Sequence, residues 1–305
     1  MSETALQCEN LLLYDWFSFT SKTDDALSII QLLGIDPKLF RTVKGARGYL
    51  VREYYDGISI HHGGREEVWC EMSGQGCRVF ETYGNGAWDT LFDICSDKDY
   101  NITRLDVAFD DHSGLLNLET MYKDCTAENF VSRFTSWQAT KSSEGITIYH
   151  GSPKSDVRFR IYDKAKERKR EEEGHWVRFE IQMRDDRAQQ FINLMILQTV
   201  GDVFTGVVNN YLRYVKPSVD SNKWRWPSRK YWMNFIGCAG KLSLYVSPGT
   251  EYNILNLENF VVNQAGAAAG AYMELVGEDA YIEQCRKKFA QTRNEKYNRL
   301  VNVPM

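Results

Sequence analysis

No apolar run in this chain approaches the length that spans a bilayer. Its first residues, MSETALQCEN, lack the charged-then-apolar pattern of a secretion signal. A membrane role and export are therefore not expected, and a cytoplasmic protein is. Paired cysteines are missing too. Cys8, Cys70, Cys77, Cys95, Cys125, Cys238 and Cys285 are scattered, with no C-x-x-C and no histidine at ligand spacing, which argues against a zinc site or a disulfide framework. They read as reduced, mostly buried small hydrophobes. There is no G-x-x-x-x-G-K-[ST] loop for a nucleoside triphosphate. Nor is there an excess of positive charge, and a net charge of −4 argues against a protein that coats nucleic acid by bulk attraction.

What is present is the balance of a globular chain, 43% hydrophobic and 26% charged. Its 305 residues suffice for one large domain with an appendage or for two domains. Local charge departs from the average. Lys154 to Arg170 holds eight basic residues against Asp156, Asp163 and Glu167, and Arg213 to Lys230 holds six against Asp220. Phosphates would sit on those two segments if the partner is DNA.

Periodicity predicts a strand over 10–20 and a helix over TDDALSIIQLLG ended by Gly34. Strands at 48–54 and 57–62 flank an Asp56-Gly57 turn. Further strands are expected at 66–73, 77–82, 101–110, 129–138, 146–150, 156–164 and in HWVRFEIQMR, with helices at 88–96 and 116–124. AKERKREEEG reads as a solvated turn or short helix, and DRAQQFINLMILQ and VFTGVVNNYLRYV as helices. Beyond residue 215 come a Trp-rich basic linker, an extended piece at 240–246 and helices from 257 to 295, among which GAAAGAYMELVGEDAYIEQCRKKF reads as a packed pair without chemistry. The fold class expected is α+β: antiparallel-rich sheets with a polar catalytic face, flanking helices and a smaller, mostly helical C-terminal segment. The expected division is 1–215 for catalysis and 216–305 for DNA binding or packing.

Strand alternation separates two faces. VRFRIYDK puts Val157, Phe159 and Ile161 on one and Arg158, Arg160, Tyr162 and Lys164 on the other. RLDVAFD sets Arg104, Asp106, Ala108 and Asp110 against Leu105, Val107 and Phe109. VRFEIQMR sets Arg178, Glu180, Gln182 and Arg184 against its apolar residues, and VWCEMS places Glu71 with Trp69 and Ser73. Any one such strand is what a half-solvated sheet produces. Together, carboxylates from separate strands offer an oxygen site for a hard cation beside a tyrosine among cations, a set suited to phosphoryl transfer. Tyr162 is the candidate nucleophile, with Arg158, Arg160 and Lys164 favouring its phenolate. Asp106, Asp110 and Glu180, with Glu71, are the candidate ligands for Mg²⁺ or Mn²⁺. Arg104, Arg178, Lys154 and Arg168 are candidate DNA contacts. In KWRWP and KYW, Trp224 and Trp226 are candidates for stacking on bases and Arg225, Arg229 and Lys230 for holding phosphates. The same tryptophans, with Trp232, read equally well as packing anchors.

The segments ITRLDVAFD, ITIYHGSPKSDVRFRIYDKAKER and HWVRFEIQMRD resemble the replication initiation factor family, which includes staphylococcal-type plasmid initiators and the nicking relaxases of integrative conjugative elements. The resemblance runs from about Tyr14 to Met195 and is most specific from Gly151 to Arg168. It implies that Tyr162 of the Arg-Ile-Tyr core is the nicking nucleophile and that Asp106, Asp110 and Glu180 build the metal site, with Glu71 carried over from EMSGQGCRVFE. It implies an origin-specific nick made through a covalent 5′-phosphotyrosine, a double-stranded origin with a single-stranded or hairpin nick site as partner, a host helicase and a homodimer. His61-His62, in HHGG, is not the His-hydrophobe-His motif of the broader nicking superfamily, and a structural role is expected for it. The short lead before the first strand favours a plasmid or phage initiator over a conjugative relaxase. The relaxase, a catalytically inactive origin-binding protein and a water-using metal nuclease remain as rival expectations.

Overall fold

The computed structural model describes residues 10–195, 197–244 and 266–292. The strands are β1 (Leu11–Ser21), β2 (Arg41–Lys44), β3 (Val51–Tyr55), β4 (Ile58–His62), β5 (Val68–Ser73) and β6 (Asn101–Asp111). They continue with β7 (Phe130–Ser132), β8 (Trp137–Ser142), β9 (Gly145–His150), β10 (Val157–Asp163), β11 (Val177–Arg184) and β12 (Leu212–Tyr214). The helices are α1 (Ala26–Leu33), α2 (Gly74–Tyr83), α3 (Trp88–Asp97), α4 (Leu118–Thr126), α5 (Lys164–Arg168) and α6 (Asp185–Met195). After them come α7 (Val200–Tyr211), α8 (Lys230–Ala239), α9 (Gly266–Val276) and α10 (Glu278–Thr292).

The chain forms two compact units. Of the described residues, the first unit comprises 10–21, 69–77, 99–195 and 197–244, and the second 22–68, 78–98 and 266–292. In the first unit the strands lie in the order β5-β1-β6-β11-β10-β9-β8. From β1 to β8 each neighbouring pair is antiparallel. Leu105, Val107 and Phe109 of β6, Val157, Phe159 and Ile161 of β10, and Val177, Phe179, Ile181 and Met183 of β11 are buried. Helices α7 and α8 cover them: Phe204 and Phe235 pack on Phe109, with ring centroids 6.5 and 5.0 Å away, and Trp232 lies 6.0 Å from Phe179. Each such side chain contributes on the order of 1.5–3 kcal/mol by leaving water. Residues 216–244 of the expected C-terminal segment thus lie in the first unit.

The second unit carries the antiparallel meander β2-β3-β4. Asp56 and Gly57 join β3 to β4 with φ of 34° and 90°, the paired positive values of a tight hairpin turn. Helix α1 starts at Asp25, which accepts from the Ser28 amide at 2.8 Å. It ends at Gly34 in the left-handed conformation, as the sequence implies. His61 is buried beneath Tyr49, their rings 5.8 Å apart, and burial with Arg52 and Arg47 lowers its pKa to about 4.

Several expectations change. Residues 77–82 are helical, within α2: Cys77, Phe80 and Glu81 are buried at i, i+3 and i+4, a helical spacing that the β-prone composition of CRVFETY masked. The strand expected over 129–138 divides into β7, which leaves the main sheet to pair with β12, and β8, which stays in it. Around 240–246 only an isolated bridge between Leu12 and Leu244 forms among the described residues. Of the helices expected over 257–295, α9 and α10 are present, while 257–265 and 293–295, like Cys8, lie outside the described residues. Of the other cysteines, Cys70, Cys77, Cys95 and Cys125 are buried, Cys238 is half-buried and Cys285 is exposed.

Candidate active site

Strand pairing builds the site. Along β10 and β11, Arg158 stands opposite Gln182, Arg160 opposite Glu180 and Tyr162 opposite Arg178. Along β11 and β6, Arg178 stands opposite Asp110, Gln182 opposite Asp106 and Arg184 opposite Arg104. Because side chains alternate, this entire polar set shares the face turned away from the aromatic core. In β1 the pairing with β6 shifts register between Tyr14 and Trp16, and Asp15 sits at that irregularity. A Cβ on Gly74 would come 2.5 Å from the Asp15 carboxylate, so a glycine lets Asp15 keep its place.

A cleft of about 400 Å³ opens on this face, lined by Asp15, Trp16, Gly74, Arg104, Asp106, Arg160, Tyr162, Lys164, Glu167, Arg168, Glu180 and Gln182. Tyr162 is 2% exposed and Lys164 3%. Lys164 belongs to α5 rather than to the strand, and from there its ammonium donates to the Tyr162 hydroxyl at 3.1 Å. Lys164 also pairs with Glu167, which Arg160 approaches at 3.3 Å. The Arg160 guanidinium lies 3.7 Å from the centre of the Tyr162 ring. Arg158 does not join them: it stacks on Tyr149 at 3.9 Å.

Burial raises the Tyr162 pKa, Glu180 adds to the rise and Arg178 opposes it. The expected cationic depression of this pKa is outweighed because a buried phenolate loses its hydration. Burial and Arg178 lower the Lys164 pKa. Burial works to raise the Glu167 pKa, but the hydrogen bond and charge of Lys164 leave it below the ordinary value. Burial holds Asp106 well above the usual carboxylate range. Glu180, close enough to share a hydrogen bond with it, pushes the same way, and Arg104 opposes both.

The four expected metal ligands separate. Asp106 and Glu180 meet in the cleft, with Gln182 donating to Glu180 at 2.7 Å and Arg104 gripping Asp106 at 2.6 and 2.9 Å. Asp110 is engaged on both oxygens by Arg178, at 2.6 and 2.7 Å, and Arg178 reaches Asp15 at 2.6 Å with its other edge. Glu71 is half-buried on β5, and its charge is felt by Arg104. Among the described residues no three His, Cys, Asp or Glu side chains converge as a metal cluster. Two crowded carboxylates nevertheless fit Mg²⁺ or Mn²⁺, since Mg²⁺ is held by one or two carboxylates, keeps several waters and takes further oxygens from a phosphate.

The expected DNA contacts also divide. Arg104 stacks on Trp16 at 4.3 Å and lines the cleft, as does Arg168, whereas Arg178 is buried between two carboxylates and faces no solvent. Lys154 and Lys230 are exposed. Arg229 pairs with buried Asp124, and Arg225 is held by Asp220 at 2.8 and 2.9 Å. Trp224 is 60% exposed, Trp226 is half-buried and Trp232 is in the core. Asp15, Trp16 and Glu167 were not singled out from the sequence. An aspartate inside the apolar run LLLYDWFSF was the available signal for the first two.

The chain matches the family model described as "Replication initiation factor" over residues 100–285 and that described as "Rolling Circle replication initiation protein N-terminal domain" over 11–96. It is 30% identical over 270 residues to "Putative DNA relaxase NicK" of Bacillus subtilis (strain 168), covering 81% of this chain and 77% of that protein. It is also similar to the solved "Structure of Rolling Circle Replication Initiator Protein from Geobacillus stearothermophilus", with a TM-score of 0.72 and 30% identity over 78% of this chain and 99% of that one. Among the described residues no helix is long and apolar enough to cross a membrane.

Proposed function

Because this chain belongs to the replication initiation factor family, we propose that it nicks and rejoins one DNA strand at a specific origin through a covalent 5′-phosphotyrosine on Tyr162. One observation carries the reading: the Lys164 amine lies 3.1 Å from the Tyr162 hydroxyl in a cleft that also holds Asp106 and Glu180.

A buried phenol keeps its proton, so it needs an acceptor within hydrogen-bond reach to become a nucleophile. Lys164, its pKa lowered by burial and Arg178, is that acceptor in its neutral form. The phenol oxygen forms a bond to phosphorus, the bond from phosphorus to the 3′ oxygen breaks, and the departing oxygen takes up the proton that Lys164 holds. Rejoining runs the same steps backwards, and the tyrosine ester conserves the energy of the cleaved bond. Arg160 and Arg168 line the cleft where negative charge builds on the phosphoryl oxygens. Asp106 and Glu180, with Gln182 beside them, would hold Mg²⁺ or Mn²⁺, which when bound polarises the phosphodiester. Asp110 serves by fixing Arg178 opposite Tyr162, rather than as a ligand.

The substrate in this reading is a double-stranded origin with an extruded, unpaired nick site, since the phosphate must reach a recessed tyrosine. A host helicase and a second copy of the chain are proposed on family resemblance. A second context, transfer of a conjugative element, is favoured by the likeness to a putative DNA relaxase. The chemistry is the same, and neighbouring genes for replication or for secretion distinguish the two.

The test is incubation with Mn²⁺ and supercoiled DNA carrying the protein's own gene and flanks, followed by a denaturing gel. A protein-linked 5′ end that disappears in Tyr162→Phe is expected. Nicking without an adduct, unchanged by the substitution, would mean that water is the nucleophile.

A further inference from the structure

Arg158, Arg160 and Arg184 crowd one part of the polar face. Arg158 stands opposite Gln182 on β11, and Arg184 lies two residues further along on the same side. Burial lowers the Arg158 pKa, and the charges of Arg160 and Arg184 act the same way, while Tyr149 and Glu180 oppose them. Arg160 has Glu167 as a partner. Among the described residues Arg158 and Arg184 have no ion-pair partner, and the Arg158 Nε is buried without a hydrogen bond. Of the strands flanking β10, β9 (GITIYH) contains no carboxylate and β11 (VRFEIQMR) supplies only Glu180, whose charge favours the Arg158 cation from the position opposite Arg160.

Three like charges held together with fewer carboxylates than cations cost free energy that a bound anion would recover. Tyr149 supports Arg158 by its ring face at 3.9 Å, which leaves the in-plane N–H donors of the guanidinium for another acceptor. The position is set by the strand. Arg158 lies two residues, about 6.8 Å of extended chain, beyond Arg160, which itself lies over Tyr162. An extended single strand whose scissile phosphate sits at Tyr162 would carry a neighbouring phosphate along this row.

We propose that Arg158, Arg184 and Tyr149 form a phosphate subsite beside the cleft, which holds the single strand flanking the nick so that it stays in place between cleavage and rejoining. This rests on the reading of the cleft as a DNA-nicking site, and it moves Arg158 from the phenol to the substrate.

The test uses the full chain carrying Tyr162→Phe and a fluorescent oligothymidylate, with affinity measured by anisotropy over a range of salt. Arg158→Ala is expected to weaken binding about tenfold, the worth of a charge-assisted phosphate contact. It should also reduce the slope of log affinity against log salt by about 0.7, one phosphate on a single strand. Arg184→Ala, which removes no stacked ring, is read in the same way in case Arg158→Ala disturbs folding. Unchanged affinity and salt slope in a folded variant would overturn the proposal. No covalent step is involved, so failure here leaves Tyr162 standing as nucleophile, and failure of the adduct assay leaves this measurement meaningful.

Discussion

The Lys164 ammonium donates to the Tyr162 hydroxyl at 3.1 Å across the junction where β10 ends and α5 begins. Asp163, between them, accepts from the Lys166 amide at 3.0 Å and so turns the chain into α5. That cap positions the amine against the phenol. A phenol and an amine are thereby held together by residues two apart.

With Lys164 as proton acceptor, adduct formation speeds up as pH rises and Lys164 deprotonates. Burial and Arg178 set its pKa below the ordinary 10.5, so the rise begins below that value. An unassisted Tyr162, whose pKa is raised above 10.0, would respond only at higher pH. Lys164→Arg keeps a cation but cannot give up its proton. Single-turnover adduct rates against pH should fall at least about a hundredfold in this variant and lose the rising limb.

Asp106 and Asp110 lie on one strand with different partners, so their amide variants should separate. Asp106→Asn is expected to weaken Mn²⁺ binding, measured calorimetrically, by about tenfold or more. Asp110→Asn should leave Mn²⁺ affinity nearly intact. It should instead lower unfolding stability by about 3 kcal/mol, because it strands buried Arg178 with half of its counter-charge.

Trp224 and Trp232 should differ likewise. Arg213 fixes the loop of Trp224 through the Trp224 and Trp226 carbonyls, both at 2.7 Å, and leaves the indole 60% exposed. Trp224→Ala is expected to weaken single-strand binding by about 1–3 kcal/mol with the unfolding midpoint unchanged. Trp232→Ala empties the core between Phe179, Tyr214 and Phe235 and should cost about 3–5 kcal/mol of stability.

His150 is fully buried, with its Nε2 2.9 Å from the Tyr214 hydroxyl, and burial lowers its pKa from 6.5 to about 3. As pH falls through 6.5 the unfolded chain takes a proton that the native ring refuses until about 3. The stability from this neutral ring is complete above 6.5 and is lost progressively down to about 3, at roughly 1.4 kcal/mol per pH unit. Denaturant midpoints should therefore drop between pH 7 and pH 5, and by less in His150→Gln. A drop of the same size in the variant would assign the effect to other groups.

Much of this was legible in the sequence because strands announce their two faces. Alternation in VRFRIYDK, RLDVAFD and VRFEIQMR placed Tyr162, Asp106 and Glu180 on one surface before their neighbours were known. Asp15 escaped the same reasoning because a register irregularity breaks the alternation at that point of β1. Residues 77–82 escaped it because their composition suits a strand while their buried positions follow a helix.

By itself, the sequence determined the α+β class, the strands that carry the polar face and the family. These depend on local periodicity and motif, which are written along the chain. Only the tertiary structure decided that Asp110 binds Arg178 while Asp106 meets Glu180, that Lys164 reaches Tyr162 from a helix, and that Arg158 stacks on Tyr149. The physical reason is that alternation fixes which face a side chain takes but not which charge stands across from it. Pairing between strands far apart in the sequence sets that, and burial then sets how strongly each pair interacts.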